Sequence, residues 1–412
     1  MMRDLQILGK NVSFSADPSV SGINSNTLVI GGTGTGKTMS IEEPELIHTY
    51  DRSVIVTMTK QKLVRRYSQM FASRGYEIKV LNFADPSSST CSFDPMHYLH
   101  SDSDIRNLAS TIVKCDSYGN KNIDPYWDNA AISLLSSLIA LVRYGTKKPN
   151  FTDVLDLFHH MESNVDDYGI SSSNINHMFT HLASIDPDNY ALHGWKAYNN
   201  LSVRTASCVF SVMAAAMENV FTPEIEQIIK IERDIDFSDL GKKRTALFII
   251  TSPFSVAMNH FVSILYSTAF KELFEYAETM DNGILPVPVH VFCDDFATGA
   301  PIDRFPEYIS IFREKGVSVT ILCQSESQLK SLYDENGATT IINNCDTYVY
   351  LGGMDLQSAR SVSERMNIPL EDVLYMPVGQ IFICRRGMRP IKTVRYDIQS
   401  NTVYRALIEE IG

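Results

Sequence analysis

Short apolar runs alternate with amphipathic stretches at the start of the chain. Leu28-Val29-Ile30, Ser53-Val54-Ile55-Val56-Thr57 and Ile78-Lys79-Val80-Leu81-Asn82 have the length and β-branched content of buried strands. Between them, residues 38–49 and 61–74 carry helical spacing, the second with Leu63, Tyr67, Met70 and Phe71 on one face. Strands alternating with helices of this length predict a doubly wound, mostly parallel sheet.

The alternation stops at the turn-rich Asp85-Pro86-Ser87-Ser88-Ser89-Thr90, and from about residue 102 to 240 the period is helical. Helices are expected over 103–114, 126–143, 152–161, 175–184, 203–220 and 223–230, with 126–143 apolar on most faces and hence buried. Past Gly241 the alternation resumes. Strands are expected at 245–250, 287–293, 317–323, 347–351 and 380–384, and a long helix at 254–280. The expected architecture is an α/β domain, residues 1–88 and 241–412, interrupted by an all-α domain, 89–240.

Two domains also fit a length of 412 residues. A 44% hydrophobic and 20% charged composition is that of a globular protein, and the net charge of −12 argues against a chain-wide nucleic-acid-binding surface while leaving room for basic loops. The longest apolar run, 130–142, is short of the roughly 20 residues a bilayer span needs. Residues 1–17 lack the apolar centre of a signal peptide. Seven cysteines without a C-x-x-C pair read as small buried residues in a reducing compartment.

Chemistry is concentrated where the strands end. Gly31-Gly32-Thr33-Gly34-Thr35-Gly36-Lys37-Thr38 fits G-x-x-x-x-G-K-[ST] between a strand and a helix. Its glycines let backbone N–H groups wrap phosphates, Lys37 would reach the β- and γ-phosphates, and the Thr38 hydroxyl would bind Mg²⁺. The chain is therefore expected to bind ATP with Mg²⁺. Val289-His290-Val291-Phe292-Cys293 ends in Asp294-Asp295. Asp294 would hold Mg²⁺ through water, and Asp295 would orient or deprotonate the attacking water. Gln324, at the end of the next strand, would sense the γ-phosphate or serve as a helix cap. Arg313 would reach a neighbouring subunit's nucleotide as an arginine finger, or is an exposed surface residue. His177 and His181, at i and i+4, have no evident third metal ligand. Lys242-Lys243-Arg244 and Arg385-Arg386 with Arg389 are basic loop clusters, and Trp127 and Trp195 are read as packing residues.

These stretches together resemble the type IV coupling proteins of the TraG/TraD type. The likeness rests on residues 26–38, Ser92-Phe93-Asp94-Pro95-Met96, Tyr126-Trp127 and residues 240–250. It continues in Asp294-Asp295-Phe296-Ala297, Cys323-Gln324-Ser325 with Gln328-Leu329, Asn344-Cys345 and Leu351-Gly352-Gly353. The resemblance implies a RecA-like P-loop NTPase motor, a homohexameric ring with ATP at subunit borders, and single-stranded or relaxase-bound DNA in its pore. It further implies relaxosome proteins, secretion-channel ATPases and membrane components as partners, and a place at the inner face of the bacterial membrane. Two departures stand out. The family's two N-terminal transmembrane helices are not in this chain, so a soluble piece, monomeric in isolation, or a naturally soluble relative is expected. The family's Asp-Glu pair is Asp294-Asp295 here, which makes ATP binding a firmer expectation than brisk hydrolysis. The rival readings are a nucleotide-gated docking protein with negligible turnover and an FtsK-like DNA translocase.

Overall fold

The computed structural model describes residues 4–115, 124–162, 165–166, 169–170, 173–252, 255–296 and 300–409. Ala297, one of the residues carrying the family likeness, lies outside them, as do the first residue of the expected 254–280 helix and the first three of the 1–17 segment. Thirteen strands follow in chain order: β1 (Leu5–Gly9), β2 (Val12–Ser15), β3 (Thr27–Ile30), β4 (Ser53–Met58), β5 (Glu77–Asn82), β6 (Val165–Asp166), β7 (Gly169–Ile170), β8 (Thr245–Ile250), β9 (Val289–Cys293), β10 (Val317–Cys323), β11 (Thr347–Tyr350), β12 (Gln380–Arg385) and β13 (Ile391–Val394). The chain forms two compact units, one of residues 1–82, 236–253 and 269–412, the other of 83–235 and 254–268.

The first unit is built on a nine-stranded sheet in the order β13-β12-β11-β3-β10-β9-β4-β8-β5. Strands β11 through β5 in that order run parallel, while β12 and β13 add an antiparallel edge. The central strands read as near-continuous apolar runs because both faces are covered: every residue of β3, β8, β9 and β11 is buried. One face carries a core of Val54, Val56, Tyr67, Phe71, Phe248 and Phe292, and a second core gathers Leu8, Val29, Ile41, Leu322, Val349 and Ile381.

Three strands of the first unit were not anticipated. The hairpin β1–β2 turns at Lys10-Asn11, with Asn11 at φ 58°, and its burial alternates weakly along β2. Its turn docks on the sheet's β13 edge, where Lys10 N donates to Val394 O. The four-residue β13 alternates half-buried and exposed positions and gives little apolar signal. The expected strand at 287–293 starts only at β9's Val289, since Pro288 has no N–H to give a ladder.

The second unit is mostly helical, with Asp102–Val113, Pro125–Gly145, Phe151–Glu162, Ser173–Ile185, Ala191–Asn199, Val203–Val220 and Pro223–Ile229. It is not purely α: β6 and β7 form a two-residue antiparallel pair. The central helix Pro125–Gly145 is buried from Ile132 to Val142 except Ser133. The helix Ala191–Asn199, also unanticipated, approaches it closely through Gly194, and Trp195 stacks on Phe179 with ring centroids 4.2 Å apart. Asp94 is fully buried and accepts N–H bonds from Met96 and Phe151. Burial raises its carboxyl to about 6. No single helix among the described residues is long and apolar enough to cross a membrane.

Candidate nucleotide site

The phosphate loop leaves β3 at Ile30 and is anchored on both sides. Gly31 N donates to Cys323 O at 3.1 Å, and Gly32 N to Gly352 O at 2.8 Å. Gly34 and Gly36 have φ of 78° and 85°, a region that side-chain-bearing residues enter at a cost. Thr35 Oγ1 donates to Gly32 O, and the buried Lys37 arches back so that Nζ donates to Gly31 O at 2.7 Å. The loop thus holds its curvature by its own bonds.

Helical structure begins at Thr38, but not as one α-helix to residue 49. Thr38–Glu42 winds as a π-turn and Glu43–Ile47 as an α-helix. Pro44 lacks the N–H that would bond Ser40, and Glu43 N bonds back to Thr38 O, five residues earlier. The wider turn still leaves Thr38 facing the acids that follow β9.

β10 lies between β3 and β9, with Cys323 beside Ile30 and Ile321 beside Cys293. Asp294 therefore emerges at the same sheet edge as the loop, and Thr38 Oγ1 donates to Asp294 Oδ2 at 3.0 Å. Burial, followed by the neighbouring Asp295, raises the Asp294 carboxyl, while the Thr38 bond, the Asp295 N–H and Lys37 oppose that shift. A hydroxyl and a carboxylate joined at the end of a phosphate loop are the hard-oxygen pair that suits Mg²⁺, so Thr38 and Asp294 fit the expected metal. When bound, the ion would neutralise charge on the β- and γ-phosphates. Asp295 is exposed and left-handed, at φ 49°, with its N–H donating to Asp294 Oδ1 at 3.0 Å. Short Asp tolerates that backbone region better than most residues.

Gln324 follows β10 directly beside Gly31, and its Oε1 accepts from Gln328 Nε2 at 3.4 Å. The cap of the helix Glu326–Asn343 is Ser325, which accepts from Gln328 N, so Gln324 has no capping duty. Arg313 lies apart from these groups. It ends the helix Phe305–Lys315 before β10 begins, is exposed, and donates to Gly22 O at 3.3 Å. Gly22 precedes β3, which puts Arg313 at the opposite edge of the sheet from the phosphate loop.

Two residues near the loop carried no sequence signal. Glu42 is completely buried, and neither carboxyl oxygen has a hydrogen-bond partner among the described residues. Burial first, then Asp294 and other acids, hold it well above the usual carboxylate range. Its neighbours differ: Glu43 accepts from Tyr67 Oη at 2.5 Å and Glu45 from Arg52 Nη2 at 2.8 Å. Glu42 is the last residue of the π-turn. Arg395, just past β13, donates from Nη1 to Thr35 O at 2.7 Å. It belongs to no motif and follows a strand too short to detect.

The remaining constellations resolve into structural parts. Lys242 pairs with Asp236 and Asp239, Lys243 with Glu77 and Asp239, and Arg244 lies over the Tyr76 ring. Arg385 is buried, bonded to Gln6 and Thr347 and lying over Phe14, while Arg386 pairs with Asp346. His177 and His181 are both exposed, and no acid, thiol or third imidazole joins them in a metal-like group among the described residues. Four cysteines are buried, but Cys115 and Cys384 are half-buried and Cys208 is exposed.

A RecA-like nucleotide fold with a phosphate loop and a facing acidic strand is the class these features define. The chain belongs to the type IV secretory system conjugative DNA transfer family, whose model matches residues 6–366. Among solved structures it is similar to the bacterial conjugative coupling protein TrwBdeltaN70 in its unbound form, at 16% identity and a TM-score of 0.64, covering 98% of this chain and 92% of that one. The plasmid coupling protein TrwB in complex with the ATP analogue ADPNP aligns at 15% identity and 0.63, over 90% and 85%. VirB4 of Thermoanaerobacter pseudethanolicus aligns at 10% identity and 0.54, over 96% of each. Comparison with curated protein sequences finds no match.

Proposed function

We propose that this chain is an ATP-driven coupling protein that recruits a relaxase–DNA or protein substrate and drives it toward a type IV secretion channel. The observation that carries the reading is the Thr38–Asp294 bond at the mouth of a self-supported phosphate loop. Around it, Lys37 binds the β- and γ-phosphates, Thr38 and Asp294 hold Mg²⁺, Asp295 addresses the attacking water, and Gln324 senses the γ-phosphate. TrwB has been crystallised with ADPNP and with ADP and Mg²⁺, which supports nucleotide and metal in this role. Arg313 serves a neighbouring subunit of a homohexamer, since its position at the far sheet edge suits no role in its own site. The helical region expected at 89–240 receives substrate at the inner face of the cell membrane. The test is ATP turnover with and without single-stranded DNA. Stimulated turnover that falls to background in Lys37→Ala and Asp294→Asn supports the reading; rings on DNA that never hydrolyse ATP overturn it.

A second reading rests on Asp295, which is short and exposed where the family carries Glu. In that reading nucleotide gates docking and turnover is negligible. Asp295→Glu then restores hydrolysis, and an unchanged rate in that variant removes the reading's support.

A further inference from the structure

Asp295 stands at a left-handed bend, and the chain immediately after it is pinned. Phe296 N donates to Leu322 O of β10 at 3.1 Å, and the Phe296 ring is buried. That ring stacks on Tyr333, with centroids 5.6 Å apart and planes 11° from parallel. Further along the chain the same tyrosine is met again, where Ile302 N donates to Tyr333 Oη at 2.8 Å. All of these residues belong to the first unit.

Tyr333 is itself held. The helix Glu326–Asn343 is broken directly after it, at Asp334, whose φ of 60° and ψ of 178° lie in a region essentially restricted to glycine. Asp334 Oδ1 accepts from Asn336 N and Gly337 N, both at 2.9 Å, and so caps the second helical segment. A Cβ on Gly337 would crowd Tyr333 Cβ at 3.2 Å, so the tyrosine backs onto bare backbone. In front, the buried Phe305 ring lies 4.9 Å from Phe296 and 6.1 Å from Tyr333. Packing alone would need only the tyrosine's ring, which phenylalanine also supplies. Here the hydroxyl takes a backbone N–H as well, so one side chain grips the chain at two points beyond Asp295.

We infer that Tyr333 is a positioning residue for ATP hydrolysis: by holding Phe296 and Ile302 it fixes where the Asp295 carboxylate points. The inference rests on the role proposed above for Asp295 toward the attacking water, and extends it to the residue that sets its direction. With one methylene between Cα and carboxyl, Asp295 reaches only where its backbone directs it. A misplacement of about 1 Å at a reacting group can cost ~10²-fold in rate, so the anchoring of that backbone bears on turnover.

The experiment measures, by calorimetry on the full chain, binding of Mg²⁺·ADP with and without aluminium fluoride, which mimics the transition state with a water in line. Wild type should bind the mimic more than about tenfold more tightly than Mg²⁺·ADP alone. Tyr333→Phe removes only the hydroxyl; it should weaken the mimic about three- to tenfold and leave Mg²⁺·ADP within about twofold. Its kcat should fall by the same factor with KM unchanged. In an Asp295→Asn background the same change should have no further effect on the mimic, because the group it positions is gone. Phe296→Leu, which removes the stack, should give the same split and stands in if Tyr333→Phe does not fold. An equal loss for both ligands, no loss, or a loss that adds in full to that of Asp295→Asn would overturn the inference. If wild type binds Mg²⁺·ADP but gains nothing from aluminium fluoride, the hydrolytic reading of the site has failed, and this one with it.

Discussion

Glu42 puts a buried carboxyl with no hydrogen-bond partner among the described residues next to the acid expected to hold the metal. Desolvation disfavours its charged form, so the folded chain keeps a proton that the unfolded chain releases above the ordinary value of 4.5. Below that value both states are protonated and the burial costs little. As pH rises the unfolded state ionises first, and stability is lost. Glu42→Gln keeps the shape and removes the titration. Its urea midpoint should therefore exceed wild type at pH 7 and converge with it near pH 4, and equal midpoints at pH 7 would show that water or an ion satisfies the carboxyl. Asp295 supports a second prediction at this scale. Its φ of 49° is easier for Asp than for Glu, so Asp295→Glu should cost about 0.5–1 kcal/mol of stability, visible in thermal unfolding, whatever it does to turnover.

Among elements, the helices Ala191–Asn199 and Pro125–Gly145 of the second unit meet at a glycine with no room for a side chain. A Cβ on Gly194 would lie 2.1 Å from Ser133 O and 2.6 Å from Ser137 Oγ. Replacing glycine by alanine inside a helix normally gains up to about 1 kcal/mol. Here the clash is with backbone, which cannot rotate away, and overpacking of this kind costs about 1–3 kcal/mol. Gly194→Ala should therefore lower the melting temperature; a rise would mean the two helices separate freely. The same elements show what could be foreseen. β8 and β10 were readable to the residue because burial leaves a strongly apolar, β-branched run between turn signals, broken in β10 only by Ser318 and Thr320. The meeting of the phosphate loop with Asp294 was foreseeable because the chemistry proposed for them needs fixed residue types in a fixed order. The helix Ala191–Asn199 was not, with His193, Gly194, Lys196 and Asn199 diluting its apolar face. Glu42 and Arg395 were hidden for another reason: one depends on a π-turn that Pro44 provokes, the other on a contact across 360 residues of chain.

For the whole molecule, a net charge of −12 has to coexist with the DNA substrate proposed above. The basic clusters at 242–244 and 385–386 are largely engaged with acids, rings and buried acceptors, so neither is a ready-made phosphate patch. Single-stranded DNA bound through these two clusters should then make a small number of phosphate contacts. Raising salt from about 50 to 200 mM should cut DNA affinity far less than the 10³–10⁵-fold expected for six to ten phosphate contacts. A steep dependence in a filter-binding titration would point to a basic surface assembled only between subunits.

Strand β10 carries Gln324 at one end, and the helix holding Arg313 joins its other end through Gly316, a left-handed turn at φ 78°. It is bonded to β3 on one side and β9 on the other, and its seven residues span roughly 23 Å. A rod held along both flanks neither stretches nor bends easily. The glutamine proposed to feel one subunit's γ-phosphate and the arginine proposed to serve the next subunit's are thus opposite ends of a single stiff lever. Any rigid movement of the sheet that carries this lever would move both at once, so that two adjacent sites would keep time through one strand.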